Sequence, residues 1–285
     1  MAIAHCRAIN AGMSENPNAD GDDAIAGIPA ATIIIFRDCP NGGPPQVLMT
    51  VRSRNLTFAG GMAVFPGGRV DPADYDLGEK TVRHGQAGQA ANAMNADEAA
   101  HQIAAIRETL EETGLVLGLS GEIDAARARR ARAMLEQTEA LEPVLEEFGW
   151  ALDLGQITPF ARWFPKSKDL ARVYDTRFYL ADLGTGEVDV SIDHSENTRL
   201  FWTSAQGALD AAEAGEIKLI FPTRRNLERL ALFANFSEAR AQAEAIPVRT
   251  IVPLVDTSGE RAMLTIMRDA GYPITAELLD TAKRG

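Results

Sequence analysis

Arg107-Glu108-Thr109-Leu110-Glu111-Glu112-Thr113-Gly114-Leu115 is the stretch on which the reading of this chain turns. Its three carboxylates stand at positions i, i+3 and i+4, which share one face of a helix. Negative charges held that closely repel one another. A divalent cation removes the repulsion, and hard cations such as Mg²⁺ take oxygen donors of this kind. Gly114 offers the left-handed residue that commonly ends a helix. A run of charge is more often a solvated helix face. The pattern R-E-x-x-E-E-x-G, however, specifies six positions, and average composition gives roughly 10⁻⁴ chance matches in a chain of this length. The cation reading is therefore the stronger one.

The flanking sequence agrees with a helix. Asn95-Ala96-Asp97-Glu98 can open it, with Asn95 or Asp97 as N-cap and Glu98 at the capping-box spacing from Asn95. Ile103, Ile106 and Leu110 supply a buried stripe at i, i+3 and i+7, and the glutamates fall mainly off it. Upstream, Phe65-Pro66-Gly67-Gly68-Arg69 reads as a sharp turn after a β-like run, where backbone groups can approach a ligand closely.

Composition bounds the function. The 285 residues are 46% hydrophobic and 24% charged, with a net charge of −12. A protein that reads the phosphate backbone of a nucleic acid carries a basic face, so polymeric nucleic acid is not an expected partner. A small anion can still bind where a metal and a few basic side chains reverse the local field. Cys6 and Cys39 suit neither a disulfide framework nor a zinc site, and a reducing, cytoplasmic setting is expected. Residues 1–27 read as a flexible polar tail without the pattern of a secretory leader. No apolar run approaches 18 residues, so no membrane span is expected.

Along the chain, Ala30 to Phe36, Val47 to Arg52 and Met62 to Phe65 read as strands, the first two joined by a hairpin over Asp38 to Pro45. Asp71 to Ala96 has few apolar anchors and reads as an exposed loop. Ser120 to Phe148 reads as a surface helix pair. Ile157 to Phe164, Val173 to Leu183 and Thr198 to Trp202 are strands, and Thr203 to Gly215, Pro222 to Phe233 and Ser237 to Ala245 are helices. Thr250 to Val255 and Arg261 to Met267 read as a last hairpin. Strands and helices mix without regular βαβ alternation, which indicates α+β.

Taken together, the glycine turn and the glutamate run resemble the signature of the Nudix hydrolases. That family carries a Gly, a Glu some way on, and then R-E-U-x-E-E-x-G-U with U aliphatic. The segment Leu48 to Ser53, the seven residues to Gly61, and Phe65-Pro66-Gly67-Gly68 keep the spacing of the extended motif of coenzyme A diphosphatases. Arg172 to Leu180, and His194-Ser195-Glu196 before Trp202, also look like that subfamily. There are two departures. Thr57 stands where the coenzyme A motif has Arg, and Asp74 stands where the box has its first Glu. Residues 75 to 106 then separate Asp74 from Arg107, against the family's usual seven. A subfamily with peroxisomal coenzyme A diphosphatases carries a comparable insertion. Either Asp74 keeps the missing glutamate's role or Glu98 replaces it.

The resemblance implies a Nudix-type α/β/α sandwich with a mixed sheet. The domain would span 28–235, with insertions at 75–96 and 120–148 and a C-terminal extension at 236–285. It implies hydrolysis of a nucleoside diphosphate linked to another group, with coenzyme A or an acyl-coenzyme A as substrate. The alternatives are a diphosphatase for ADP-ribose or a dinucleotide, and a non-catalytic nucleotide-binding module. Glu108, Glu111 and Glu112, with the carbonyl of Gly68, are implied to hold Mg²⁺ or Mn²⁺. Glu108 and Glu196 are alternative proton acceptors. Arg52, Arg54 and Arg69 are candidate phosphate contacts, and Arg107 is expected to orient the cluster by pairing with one glutamate. Lys166, Lys168 and Arg172 form a local basic run. Of the aromatics Phe160, Trp163, Phe164, Tyr174, Phe178 and Tyr179, at most one is expected to reach a nucleobase. The expected partner is a small-molecule diphosphate, and the family resemblance suggests a homodimer.

Overall fold

The strand Ile28–Arg37 (β1, IPAATIIIFR) forms because a run of β-branched residues fits a pleated surface covered on both faces. The computed structural model describes residues 26–52, 61–84, 94–166, 172–183 and 197–282. β1 turns back antiparallel into Gln46–Arg52 (β2) with Phe36 opposite Val47, as the turn-rich segment between them predicts. β2 also pairs with Ala63–Val64 (β3), and Gly67–Arg69 (β4) pairs with the first half of β1. β1 is thus flanked on one side by two different strands, β4 at its start and β2 at its end. Gly67-Gly68 is therefore strand, where the sequence suggests a turn. Gly67 has φ 153°, and a Cβ there would lie 2.3 Å from the Ala31 carbonyl oxygen, so the pairing requires glycine.

Pro72–Arg83 (α1) and Ala96–Thr113 (α2) follow. α1 corrects the first half of the loop expected over 71–96, and residues 85–93 of that stretch lie outside the described residues. Its inner face is small, with Leu77, Gly78 and Thr81 buried, so the large apolar stripe that announces a helix is missing. Small residues are what let α1 lie directly on the backbone of α2. A Cβ on Gly78 would stand 2.9 Å from the Ala100 nitrogen and from the Ala96 carbonyl oxygen. Leu119–Ser120 (β5), Ala125–Thr138 (α3), Leu141–Phe148 (α4) and Ala151–Leu152 (β6) form a helical hairpin closed at its base by a two-stranded ribbon. The helix pair was legible, and its buried face carries Ala131, Leu135, Val144 and Phe148.

Thr158–Trp163 (β7) and Tyr174–Asp182 (β8) pair antiparallel, and β8 runs parallel to β1 with Thr176 opposite Ala30 and Phe178 opposite Thr32. Asn197–Ser204 (β9) pairs with β2 and leads into Ala205–Glu213 (α5), Phe221–Leu230 (α6) and Phe236–Ala245 (α7). Thr250–Ile251 (β10) adds to β7 in parallel. The mixed sheet runs β10-β7-β8-β1-β2-β3, with β4 on β1 and β9 on β2. The last hairpin differs from expectation. Pro253 has no N–H to continue a ladder, so Thr250–Ile251 stays with the main sheet. Leu254–Asp256 (β11) instead pairs with Met263–Thr265 (β12), which pairs with Ala276–Leu278 (β13) ahead of Leu279–Ala282 (α8).

Two cores lie on opposite faces of the sheet. One joins Ala31, Ile33, Ile35 and Tyr179 to α1–α4. The other joins Ile34, Phe36, Phe178 and Leu180 to α5–α7 and Tyr272. The architecture is an α/β/α sandwich with a mixed sheet, and among the described residues no helix is long and apolar enough to cross a membrane. Gly→Ala inside a helix ordinarily stabilises by up to about 1 kcal/mol. At Gly78 the sign should reverse: Gly78→Ala should cost about 1–3 kcal/mol through overpacking against the α2 backbone, read from the denaturant midpoint.

Candidate active site

α2 is held at both ends by its own sequence. Asn95 Oδ1 accepts the Glu98 amide at 2.8 Å, and Gly114 closes the helix at φ 75°. Ile103, Ile106 and Leu110 are buried against the sheet as their spacing requires. The three glutamates then separate. The side chain of Glu111 is 42% exposed and that of Glu108 15%, while Glu112 is only 3% exposed as a residue. Glu112 is thus not off the buried stripe. It turns inward, and its Oε2 accepts the Gly67 amide at 3.0 Å. The helix and the glycine strand are joined through the same carboxylate that the sequence marks as functional.

Arg107 is 4% exposed and organises the surroundings. Its Nε and Nη2 reach Asp74 at 3.1 and 3.0 Å, Nη2 donates to the Arg69 carbonyl at 2.9 Å, and Nη1 lies 2.9 Å from Glu108 and 3.5 Å from Glu111. Asp71 stands at 3.4 Å. Arg107 therefore meets two glutamates and two aspartates, where the sequence suggests one glutamate. Burial opposes its charge, but Glu108, Asp74 and Asp71 outweigh burial and raise its pKa.

Asp74, at 1% exposure, is the acidic group that meets Arg107. It also accepts the Asp71 amide at 2.9 Å, one half of a capping box at the start of α1. Glu98 is elsewhere, paired with Arg177 of β8 at 2.6 Å. Of these two acids, it is Asp74 that contacts the buried arginine. The signal was present in the sequence, because Asp71-Pro72-Ala73-Asp74 combines an N-cap residue, a proline in the first turn and an acid at the third helical position.

Glu108 bears the cost of the cluster. Burial raises its carboxyl pKa, Arg107 pulls it down, and Glu112 and Glu111 raise it again, leaving it pushed up to about 8. Its carboxyl group also packs on bare backbone, since a Cβ on Gly68 would stand 2.3–2.6 Å from the Glu108 carboxyl atoms. Among the described residues, no three acidic, histidine or cysteine side chains close into a ready-made cation cage. Mg²⁺ does not need one, because it keeps several waters and binds one or two carboxylates together with substrate phosphates. The hard-oxygen donors Glu108, Glu111 and Glu112 beside side-chain-free Gly68 fit such an ion.

Glu108, Glu111, Glu112, Gly68, Arg69, Arg52 and Arg107 all line one cavity of about 1250 Å³. Arg69 is exposed and 4.0 Å from Asp71. Arg172 reaches the cavity. Lys166 does not line it and lies over the Phe164 ring. Arg54, Thr57, Lys168, His194 and Glu196 fall outside the described residues. Of the six singled-out aromatics, Trp163, Tyr174 and Phe178 line the cavity, while Phe160 and Tyr179 are buried in the two cores. Sequence reasoning missed Thr32, Thr176, Ile220 and Pro222, and the end of α3 at Glu136 and Glu139. Only Tyr174, Thr176 and Phe178 carried a signal, the period-two spacing of one strand face.

No protein-family model matches the chain. The acyl-coenzyme A diphosphatase NUDT19 of Gallus gallus is 24% identical over 261 residues, covering 73% of this chain and 69% of that protein. The crystal structure of a NUDIX hydrolase from Alicyclobacillus acidocaldarius superposes with a TM-score of 0.64 at 27% identity, covering 76% of this chain and 96% of that one.

Removing one partner of a buried charge pair leaves the other uncompensated and costs about 3–5 kcal/mol. Arg107 keeps Glu108, Glu111 and Asp71 when Asp74 is neutralised, so Asp74→Asn should cost about 1–3 kcal/mol, whereas Glu98→Gln, at a partly exposed pair, should cost less than about 1 kcal/mol. Parallel urea titrations distinguish the two.

Proposed function

We propose that this Nudix-type pyrophosphohydrolase, which resembles the coenzyme A diphosphatases, cleaves the diphosphate of coenzyme A or an acyl-coenzyme A. The observation that carries the reading is the convergence of Glu108, Glu111 and Glu112 with Gly67-Gly68 on one cavity, locked by Arg107 and Asp74. The substrate assignment is supported by the coenzyme A spacing of Leu48 to Gly68 and by the diphosphatase relative, which spans most of this chain.

A phosphoric anhydride resists attack because its oxygens are negative. Bound Mg²⁺ or Mn²⁺ offsets that charge and makes water a better nucleophile. Glu111 and Glu112 are assigned to hold the cation, with Glu108 and the Gly68 carbonyl beside them. Arg107 keeps the glutamates in place and does not touch substrate. Arg52 and Arg69, with Arg54, are assigned to the phosphates. Glu108 takes the proton from the attacking water, and Glu196 is the alternative acceptor. Water adds to one phosphorus, the bridging P–O bond breaks, and the leaving phosphate takes the electron pair. The products are 3′,5′-ADP and a phosphopantetheine or its acyl form.

A second reading, ADP-ribose or a dinucleotide as substrate, is favoured by Thr57 in place of the arginine of the coenzyme A motif. A panel of diphosphates with Mg²⁺ or Mn²⁺, with product identification, separates the two.

Glu111→Gln and Glu112→Gln should each lower turnover by about 10²–10³-fold and weaken Mn²⁺ binding in a calorimetric titration. Parent-like rates in both would place the chemistry elsewhere. Gly68→Ala should displace the flexible Glu108 carboxyl and lower kcat by about 10²-fold. Its melting temperature should stay close to the parent's, because the clash is with the end of a side chain and not with backbone.

A further inference from the structure

The cavity has two unlike ends. The carboxylates and Arg69, whose carbonyl accepts from Arg107, occupy one. The other is floored by a single face of the sheet. Tyr174, Thr176 and Phe178 alternate along β8, Ala30 and Thr32 lie beside them on β1, and Trp163 of β7 stands opposite Thr176. Ile220 and Pro222, where α6 begins, form its wall. Arg172, two residues before Tyr174, and Thr223, next to Pro222, also line the cavity, and a diphosphate held at the carboxylates leaves this aromatic and threonine-lined end for the organic part of the substrate.

That floor and that wall are tied together by a side chain from far along the sequence. Trp163 Nε1 donates to the hydroxyl of Tyr272 at 3.0 Å, and Tyr272 donates in turn to Asn226 Oδ1 at 2.7 Å. All three residues are buried. Asn226 lies one turn along α6 from Pro222. The Trp163 ring meets Tyr272 edge-on at 5.5 Å and Phe221 edge-on at 5.9 Å. Tyr272 is itself pinned. Gly271 before it has φ 82°, and a Cβ there would strike Ile246 at 2.7 Å. Arg229, which donates to the Phe160 carbonyl at 3.1 Å, lies over the Tyr272 ring. Nothing in the chemistry at the glutamates uses this chain of hydrogen bonds.

We infer that Tyr272 is a positioning residue that sets the sheet-floored, aromatic end of the cavity as the seat of the substrate's nucleobase, acting through Trp163 and Asn226. The inference rests on the diphosphatase reading for the nature of the ligand. It assigns the C-terminal extension a part in substrate choice and none in bond cleavage. Loss of the hydroxyl leaves a buried indole N–H and a buried amide oxygen unpaired, and both are relieved by shifts of the elements that carry them.

The test compares ADP with inorganic pyrophosphate as probes, titrated calorimetrically into the full chain at one Mg²⁺ concentration. ADP carries the base and pyrophosphate does not. Tyr272→Phe should weaken ADP about tenfold and leave pyrophosphate within about twofold. Asn226→Ala should do the same, and the double variant should be no worse than either single one, because both break one chain. If Tyr272→Phe does not fold, Asn226→Ala carries the test alone, with its melting curve as the control. Equal weakening of both probes, no weakening of ADP, or a parent that binds ADP no better than pyrophosphate overturns the inference. Binding needs no turnover, so the predicted pattern in a protein that hydrolyses no diphosphate would refute the hydrolase reading and leave this one standing.

Discussion

The guanidinium of Arg107 is the group on which the geometry of the site depends. It is nearly inaccessible, and it faces Asp74, Asp71, Glu108 and Glu111 together with a backbone carbonyl. A charge buried this deeply is tolerable only with its hydrogen bonds made. The arrangement is directional, because a planar fork with five donors accepts its partners at set angles. Asp74 comes from α1, the Arg69 carbonyl from β4, and the glutamates from α2. One side chain therefore decides how three elements meet.

The same contacts explain why repulsion among the acids is tolerated. Glu112 is anchored by the Gly67 amide and Glu108 by Arg107, and only Glu111 reaches well into solvent. The frustration left over collects on Glu108, whose carboxyl is pushed up to about 8. An electrostatic debt concentrated at a cavity wall is a common mark of a functional site. Glycine makes this density possible, since Gly67 lets β4 close on β1 and Gly68 leaves room for the Glu108 carboxyl.

The sheet supplies the rest of the cavity by a simple device. β1 pairs with β4 over its first half and with β2 over its last, and β8 lies along its other side throughout. Alternation along β1 and β8 sends Ala31 and Tyr179 under the helices that carry the glutamates, and Thr32 and Phe178 to the opposite side, where they line the cavity. α1 and the α3–α4 hairpin pack on the glutamate side of the sheet, and the C-terminal segment packs on the other.

Much of this was legible before any coordinates. Helix α2, its asparagine cap, its glycine stop, its buried stripe and its three acids follow from local spacing, as do most strands and the α3–α4 pair. These features depend on neighbours within a few residues, which is the range over which backbone sterics and helical periodicity act. The α1 helix was missed because its packing face is made of small residues, and the final hairpin was misjudged because one proline divides it. The partner of Arg107, the inward turn of Glu112, and the meeting of Trp163, Tyr272 and Asn226 across long separations could be decided only by the tertiary structure. Which acid neutralises a buried cation, and which hydroxyl caps an indole, depend on where distant segments are brought together, and local sequence carries no term for that distance.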